Sequence, residues 1–322
     1  MFRLLFFFGI LMFVQPFAEA QKIMSMNVPD HPGPPFPTQL RTIVVFIELI
    51  CTDAKTNKPI TETGTGFLVA YHHPDLPKDQ QFDYFVTNRH VAECWDDTRQ
   101  PRPIQSVIVK INLTNGSSKP SALTEHGNIH WYFPTDDSVD LAVTPMSFDR
   151  REVDNLQIPL DMFVTKDFFA PNYVGEGAKI ILSGFFYQLA GTRRLQPIIR
   201  EGILAMMPDE PLETTTGKMG TLYLGDVHIF GGNSGSPVFI NTAGIRPNGT
   251  IQLDDYRFLG VVSGYYYEDS NFKLEIATTV EGQQRSNSGV SMIVPADFLK
   301  DLILNNPGLK GIRESELARL RK

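Results

Sequence analysis

From Thr42 onward the chain is written in short apolar runs separated by clusters of Gly, Asn, Asp, Ser and Pro. TIVVFIELIC, TGFLVAY, FDYFVT, SVIVKINL, DLAVTPM, AKIILSGFF, GILAMM, LYLGDVHIF, SPVFI, YRFLGVVSGYYY, LEIATTV and SGVSMIV each read as a strand, rich in β-branched and aromatic residues and bounded by turn formers. In SVIVKINL the apolar residues Val107, Val109, Ile111 and Leu113 recur at every second position, the period of a strand with one buried face. Asn115-Gly116 follows directly, a strong short-range hairpin signal. No strand–helix alternation repeats through these segments, so the pattern predicts an antiparallel all-β chain. One helix stands out: it starts at Pro295, continues through ADFLKDLIL and stops before Pro307. The last stretch, GLKGIRESELARLRK, is rich in charge and is expected to fray or to lie as a helix on the surface.

The amino-terminal end has a different texture. Arg3 precedes an apolar stretch from Leu4 to Phe17, and Ala18-Glu19-Ala20 supplies a small-x-small cleavage site, which reads as a secretory signal peptide over 1–20. Five prolines between 27 and 38 mark residues 21–39 as an extended leader with no regular element. No later segment is long and apolar enough to cross a bilayer, so an exported protein, secreted or periplasmic, is expected, with no membrane partner once the signal is removed. The net charge of −7 and the absence of a basic stripe argue against a nucleic-acid partner. The only two cysteines, Cys51 and Cys94, permit one disulfide in an exported chain. The adjacent His72 and His73 lack a second ligand pair at useful spacing, so neither a metal nor another cofactor is expected.

One short stretch carries the chemistry. GGNSGSPVF, residues 231–239, packs three glycines around an asparagine and two serines before an apolar run. Such a stretch reads as a surface turn, or as a nucleophile held beside exposed backbone N–H groups. A serine nucleophile needs a base and a third group that orients the base. TNRHVAEC places His90 just after the apolar run FDYFVT, SVDLAV places Asp140 at the head of another, and GGNSGSP places Ser234 before a third.

In these boxes, and in their order, the sequence resembles the chymotrypsin-like (trypsin-fold) serine peptidases, closest to the bacterial trypsin-like branch that includes the HtrA-type proteases. The resemblance runs from about Ile43 to about Leu304 by order of motifs. GTGFLV at 64–69 is similar to the strand ahead of the family's histidine, TNRHVA to its histidine box, VDLAV to its aspartate box, GNSGSP to its serine box and LGVVSG at 259–264 to the strand lining its substrate cleft. It implies that Ser234 attacks the scissile carbonyl, that His90 takes and returns the proton, and that Asp140 orients the imidazole. It implies further that the backbone N–H groups of Gly232 and Ser234 form an oxyanion hole, that Ser263 braces Asp140 with its hydroxyl, and that His228, Ser263 and Tyr265 line the primary substrate pocket. With His228 at the pocket base and Tyr265 on its wall, trypsin-type cleavage after Lys or Arg is not expected. Ser236 is the rival nucleophile, but it sits directly before Pro237. Asp136 and Asp137 are rivals for the acid, but neither abuts the apolar run, and His126 and His130 read as surface residues flanking a turn.

Departures from the family pattern bear on activation. The residue before the nucleophile is Asn233, where the digestive enzymes carry an aspartate that pairs with a newly cut amino terminus. No cut beyond signal removal is therefore expected to be needed. Cys94 lies four residues past His90, and a meander of the first strands would bring Cys51 within bridging reach of it. Asn112, Asn115 and Asn248 lie in N-x-Ser/Thr sequons, the last two followed by glycine as in hairpin turns.

Together these features predict two six-stranded antiparallel β-barrels, 40–155 and 165–294, with the helix and tail at 295–322. The expected activity is that of a monomeric serine endopeptidase acting on protein or peptide, with no cofactor. A silent binding protein on the same fold and a non-proteolytic esterase are the competing classes. Triad order His, Asp, Ser disagrees with the α/β-hydrolase order.

Overall fold

Alternation of side chains across the first strands builds a sheet with one well-filled face: Val107, Val109 and Ile111 all sit in the core, with Val45, Ile47 and Leu49 of the neighbouring strand. The computed structural model describes residues 35–321 apart from 123–128, 247–248 and 276–278. The expected signal peptide, the expected leader up to residue 34, His126 and the Asn248 sequon lie outside the described residues. The leader's last residues are not extended: Phe36–Gln39 form one helical turn, α1. Proline is tolerated in a first turn, where its missing N–H would have no partner, and the turn is held by stacking of Phe36 on Tyr256 at 4.5 Å.

Seven strands follow: β1 (Val44–Thr52), β2 (Pro59–Tyr71), β3 (Phe82–Thr87), β4 (Ile104–Asn112), β5 (Ser118–Ala122), β6 (Ala142–Pro145) and β7 (Ile158–Pro159). They pair in the order β5-β4-β1-β2-β3-β6, with β7 parallel to β2. The predicted hairpin at Asn115-Gly116 joins β4 to β5, with Asn112 opposite Ser118. Asn112 is buried, and its side-chain amide exchanges hydrogen bonds of 2.9 and 3.0 Å with the Leu195 backbone, which occupies the atom a glycan would need.

The second half contains β8 (Lys179–Gly184), β9 (Ile198–Met206), a small hairpin of β10 (Leu212–Glu213) and β11 (Met219–Gly220), then β12 (Tyr223–Asp226) and β13 (Pro237–Asn241). A second small hairpin, β14 (Gly244–Ile245) and β15 (Ile251–Gln252), precedes the long pair β16 (Tyr256–Glu275) and β17 (Thr279–Pro295). Here six strands close on themselves in the order β12-β17-β16-β13-β8-β9. The chain is therefore mostly β, as the pattern predicts; the ladder closes completely in this barrel, whereas the first sheet runs as an open path among the described residues.

One apolar cluster joins the two sheets. Phe67 and Tyr84 from the first meet Phe239, Phe258 and Val261 from the second, with Phe67 and Phe258 ring centroids 5.5 Å apart. Among the described residues three α-helices precede the carboxyl-terminal pair: α1, α2 (Arg89–Ala92) and α3 (Lys166–Asn172). The predicted helix is α4 (Ala296–Asn305), and a second, α5 (Pro307–Leu320), follows it. Asn306 caps α5 by accepting the N–H groups of Gly308 and Leu309. Although charged, α5 is anchored: Leu309 and Leu317 are buried, and the guanidinium of Arg313, only 4% exposed, donates to the carbonyls of Ile303 and Leu304 and to the Tyr84 hydroxyl.

Cys51 at the end of β1 and Cys94 after α2 are joined in a disulfide, with Cα atoms 6.6 Å apart and both residues buried. Cross-linking positions 43 residues apart restricts the unfolded chain by about 4 kcal/mol in the loop-entropy description. The Cys51→Ser/Cys94→Ser double variant is expected to unfold at clearly lower urea concentration. An unchanged midpoint would show that the bond contributes nothing to stability.

Candidate active site

The site is assembled where three strand ends meet. β3 runs directly into the single turn of α2, which carries His90; Asp140 sits in the connection just before β6; Ser234 sits in the turn just before β13. His90 Nδ1 donates to Asp140 Oδ2 at 2.6 Å, and the His90 backbone N–H donates to Oδ1 at 3.0 Å. Asn88 holds the same residue from behind, its side-chain amide donating to the Asp140 carbonyl at 2.8 Å. Asp140 is 1% exposed. Burial pushes its carboxyl up, but the His90 charge and the hydrogen bonds from His90 and Thr215 outweigh it and hold the pKa below the ordinary value. For His90 burial works against protonation, yet the charge and hydrogen bond of Asp140 prevail and the pKa is raised.

His90 and Ser234 line one cavity of about 370 Å³, with Trp95 and the Thr61–Thr63 segment of β2 on the histidine side and Gly232 on the serine side. No hydrogen bond joins the Ser234 hydroxyl to the imidazole. Such contacts are commonly loose before substrate binds.

The serine loop is fastened to β2 from several directions. Thr65 N–H donates to the Ser234 carbonyl at 2.9 Å, and the Thr65 hydroxyl donates to the Gly232 carbonyl at 2.6 Å. That hydroxyl in turn accepts the Phe185 N–H at 3.0 Å. Gly232 adopts φ +94°, in the region glycine enters without a Cβ penalty. With its carbonyl engaged by Thr65, the N–H groups of Gly232 and Ser234 donate to no protein acceptor among the described residues. Asn233 is buried and satisfied at both ends: its Oδ1 accepts the Phe230 N–H at 2.9 Å and its Nδ2 donates to the Phe185 carbonyl at 3.1 Å.

The rival residues are placed elsewhere. Ser236 is fully buried, away from the cavity, while Asp136 caps the Ser138 N–H and Asp137 pairs with Lys218 on the surface. His130 is exposed and rests on Tyr132.

The residues expected to line the primary pocket do not gather around the cavity. His228 is exposed and lines a separate cavity of about 410 Å³ with Arg200, Glu201 and Asp226. Tyr265 is half-buried against the second barrel's core, its ring 4.9 Å from that of Tyr267. Ser263 is buried but its hydroxyl makes no hydrogen bond. The hydroxyl that reaches Asp140 is that of Thr215, at 2.8 Å from Oδ2. Sequence reasoning misses it because Thr215 lies in ETTTGKMG, a turn between two-residue strands with no periodicity to mark it. Among the described residues no group of three or more His, Cys, Asp or Glu side chains could hold a metal ion.

No family model matches the chain, and no curated protein matches it either. Several solved structures are similar. Deg5 is 17% identical with a TM-score of 0.44, the match covering 83% of this chain and 92% of that one. The inactive form of Rv3671c from M. tuberculosis H37Rv is 18% identical with a TM-score of 0.42, covering 84% and 89%. The MamO protease domain from Magnetospirillum magneticum, in its apo form, is 16% identical with a TM-score of 0.37, covering 68% and 92%. The fold class rests on the strand order described above.

Proposed function

We propose that the protein is an exported serine endopeptidase of trypsin-like architecture, working through His90, Asp140 and Ser234. The observation that carries this is the pair of buried Asp140 and partly exposed His90 facing Ser234 across one cavity, beside two backbone N–H groups with no protein partner among the described residues.

Each group has a task its surroundings suit. Neutral His90 takes the Ser234 proton on Nε2 as Oγ attacks the peptide carbonyl, and Asp140 stabilises the imidazolium that results. The oxyanion formed is met by the N–H groups of Gly232 and Ser234, a single such donor being worth about 3 kcal/mol of barrier. His90 then gives its proton to the leaving amine. The acyl group stays on Ser234 until water, deprotonated by the same imidazole, releases the acid and restores the hydroxyl. Peptide or protein substrates would enter this cavity, and neither a cofactor nor a nucleic acid enters the scheme. No helix among the described residues is long and apolar enough to cross a membrane; release by cleavage after Ala20 and action as a monomer belong to the proposal.

A proteome-derived peptide library digested by the wild type tests the whole proposal, with fluorophosphonate labelling as the direct probe of Ser234. Ester turnover without peptide cleavage would point to an esterase, and absence of labelling to a binding protein. Because Asn233 is uncharged and internally satisfied, protein beginning at Gln21 is expected to be active without further cutting. Activity appearing only after a later clip would contradict this.

The pH profile provides a third check. The base works in its neutral form, so the rate must rise with pH as His90 loses its proton. With the pKa raised by Asp140, the midpoint is expected above the ordinary histidine value of about 6.5. A flat rate from about pH 5 to about pH 9 would remove His90 as the base.

A further inference from the structure

We propose that Thr215, presented by the β10–β11 hairpin, is a positioning residue for the Asp140–His90 pair, so that the catalytic geometry depends on the seating of that hairpin; this rests on the serine-peptidase assignment above. The hairpin is a sheet of its own, separate from the strands that flank the members of the proposed triad. Yet its Thr215 hydroxyl donates to Asp140 Oδ2, the same oxygen that receives His90 Nδ1–H.

Three observations make this contact more than a chance neighbour. First, Asp140 is 1% exposed, so water cannot replace a missing donor, and a buried carboxylate short of donors is costly. Second, the hydroxyl that resemblance assigns to this task, Ser263, is buried with no hydrogen bond at all. Third, the approach of the hairpin requires space beside Ser263. A Cβ on Gly264 would lie 2.6 Å from Thr215 Cγ2, so any larger residue there would push the threonine off.

The hairpin cannot hold this position alone, since its strands are two residues each and isolated hairpins are marginal. It is tied to both halves of the molecule. Tyr266 O–H donates to the Glu213 carbonyl at 3.0 Å on the second-barrel side. Arg99 pairs with Glu213 at 3.2 Å, and Lys218 pairs with Asp137, on the first-sheet side. Thr215 therefore links the orientation of the proposed base to contacts that span the two halves.

The chemical consequence has a direction. A donor on Oδ2 spreads the carboxylate charge; without it Asp140 faces the imidazole with more negative charge and less restraint. Removing the hydroxyl should raise the His90 titration midpoint and slow the chemistry while leaving reversible binding alone. Glu62, reaching from β2, is the other charged group that acts on His90, and it is untouched by the change.

Thr215→Val keeps the shape and removes the donor, and Thr215→Ser restores it. In T215V the rate of fluorophosphonate labelling at saturating reagent is expected to fall about tenfold, as for loss of one hydrogen bond to a charged group. The His90 midpoint, read by NMR of its ring and of the Nδ1 proton, should move upward. T215S should return both readouts to near the wild-type values. T215V matching the wild type in rate and midpoint overturns the proposal, as does a T215S variant that behaves like T215V. If the wild type itself is not labelled but T215V still moves the His90 midpoint, the positioning role stands and the peptidase assignment falls.

Discussion

Ser234→Ala is expected to abolish fluorophosphonate labelling and to lower peptide hydrolysis by about 10⁴- to 10⁶-fold, the range seen when the nucleophile of a serine triad is removed. The fold should be unaffected, because the Ser234 side chain makes no hydrogen bond and the loop is held through its backbone by Thr65. Asp140→Asn is expected to cost about 10⁴-fold for a different reason. The amide keeps the shape but presents an N–H where Oδ2 now accepts, so His90 turns its proton the wrong way. The pairing is diagnostic. Residues that act as a unit lose little more when a second member is removed, so S234A combined with His90→Ala should be no slower than S234A alone. Multiplying losses would mean that His90 and Ser234 act in separate processes, and the proposed triad would be abandoned.

What could be read from the sequence, and what could not, follows from the range of the physical signal. Strand ends are local features. A histidine, an aspartate and a serine that each abut an apolar run were open to inspection, and Asp140 and His90 meet at 2.6 Å because those runs become β3 and β6, adjacent in the sheet. The disulfide follows the same logic, since Cys51 and Cys94 end segments of one meander. Where contacts are made by elements with no period, the sequence is mute. Thr215 stands in a turn, and it is the packing of its hairpin beside Gly264, with the ties to Tyr266, Arg99 and Asp137, that aims it at Asp140. Arg313 makes α5 look like a solvated tail; its charge is accepted in the core because two helix-end carbonyls and the Tyr84 hydroxyl happen to converge on it. His228 lines a cavity separate from that of Ser234. Spacing from Ser234 places it near the loop, but on β12's continuation alternate residues face opposite sides, and Val227 and Ile229 take the core side, leaving His228 outside.

Gly235→Ala is expected to be strongly destabilising and to disable the site at the same time. Its φ of +85° already disfavours a side chain. Beyond that, a Cβ there would lie 2.0 Å from the Thr65 carbonyl oxygen and 2.7 Å from the Thr87 hydroxyl. Neither is the far end of a flexible chain: the first is backbone, and the second is held to that same carbonyl by a 2.9 Å hydrogen bond. Gly116 supplies the control, with the same kind of φ, +84°, and nothing within 4 Å of its would-be Cβ. Gly116→Ala should therefore cost only the left-handed conformation, about 1 kcal/mol, and leave labelling unchanged. Gly235→Ala adds overpacking against fixed atoms, for a total of about 2–5 kcal/mol in urea unfolding. Relief of the clash must part β2 from the loop, and the Thr65 bonds to Gly232 and Ser234 are what set the loop's N–H groups, so labelling of any folded G235A should fall as well. Equal stability for the two alanine variants, with labelling retained in both, would show that the fastening of this turn to β2 is not what shapes the proposed oxyanion site.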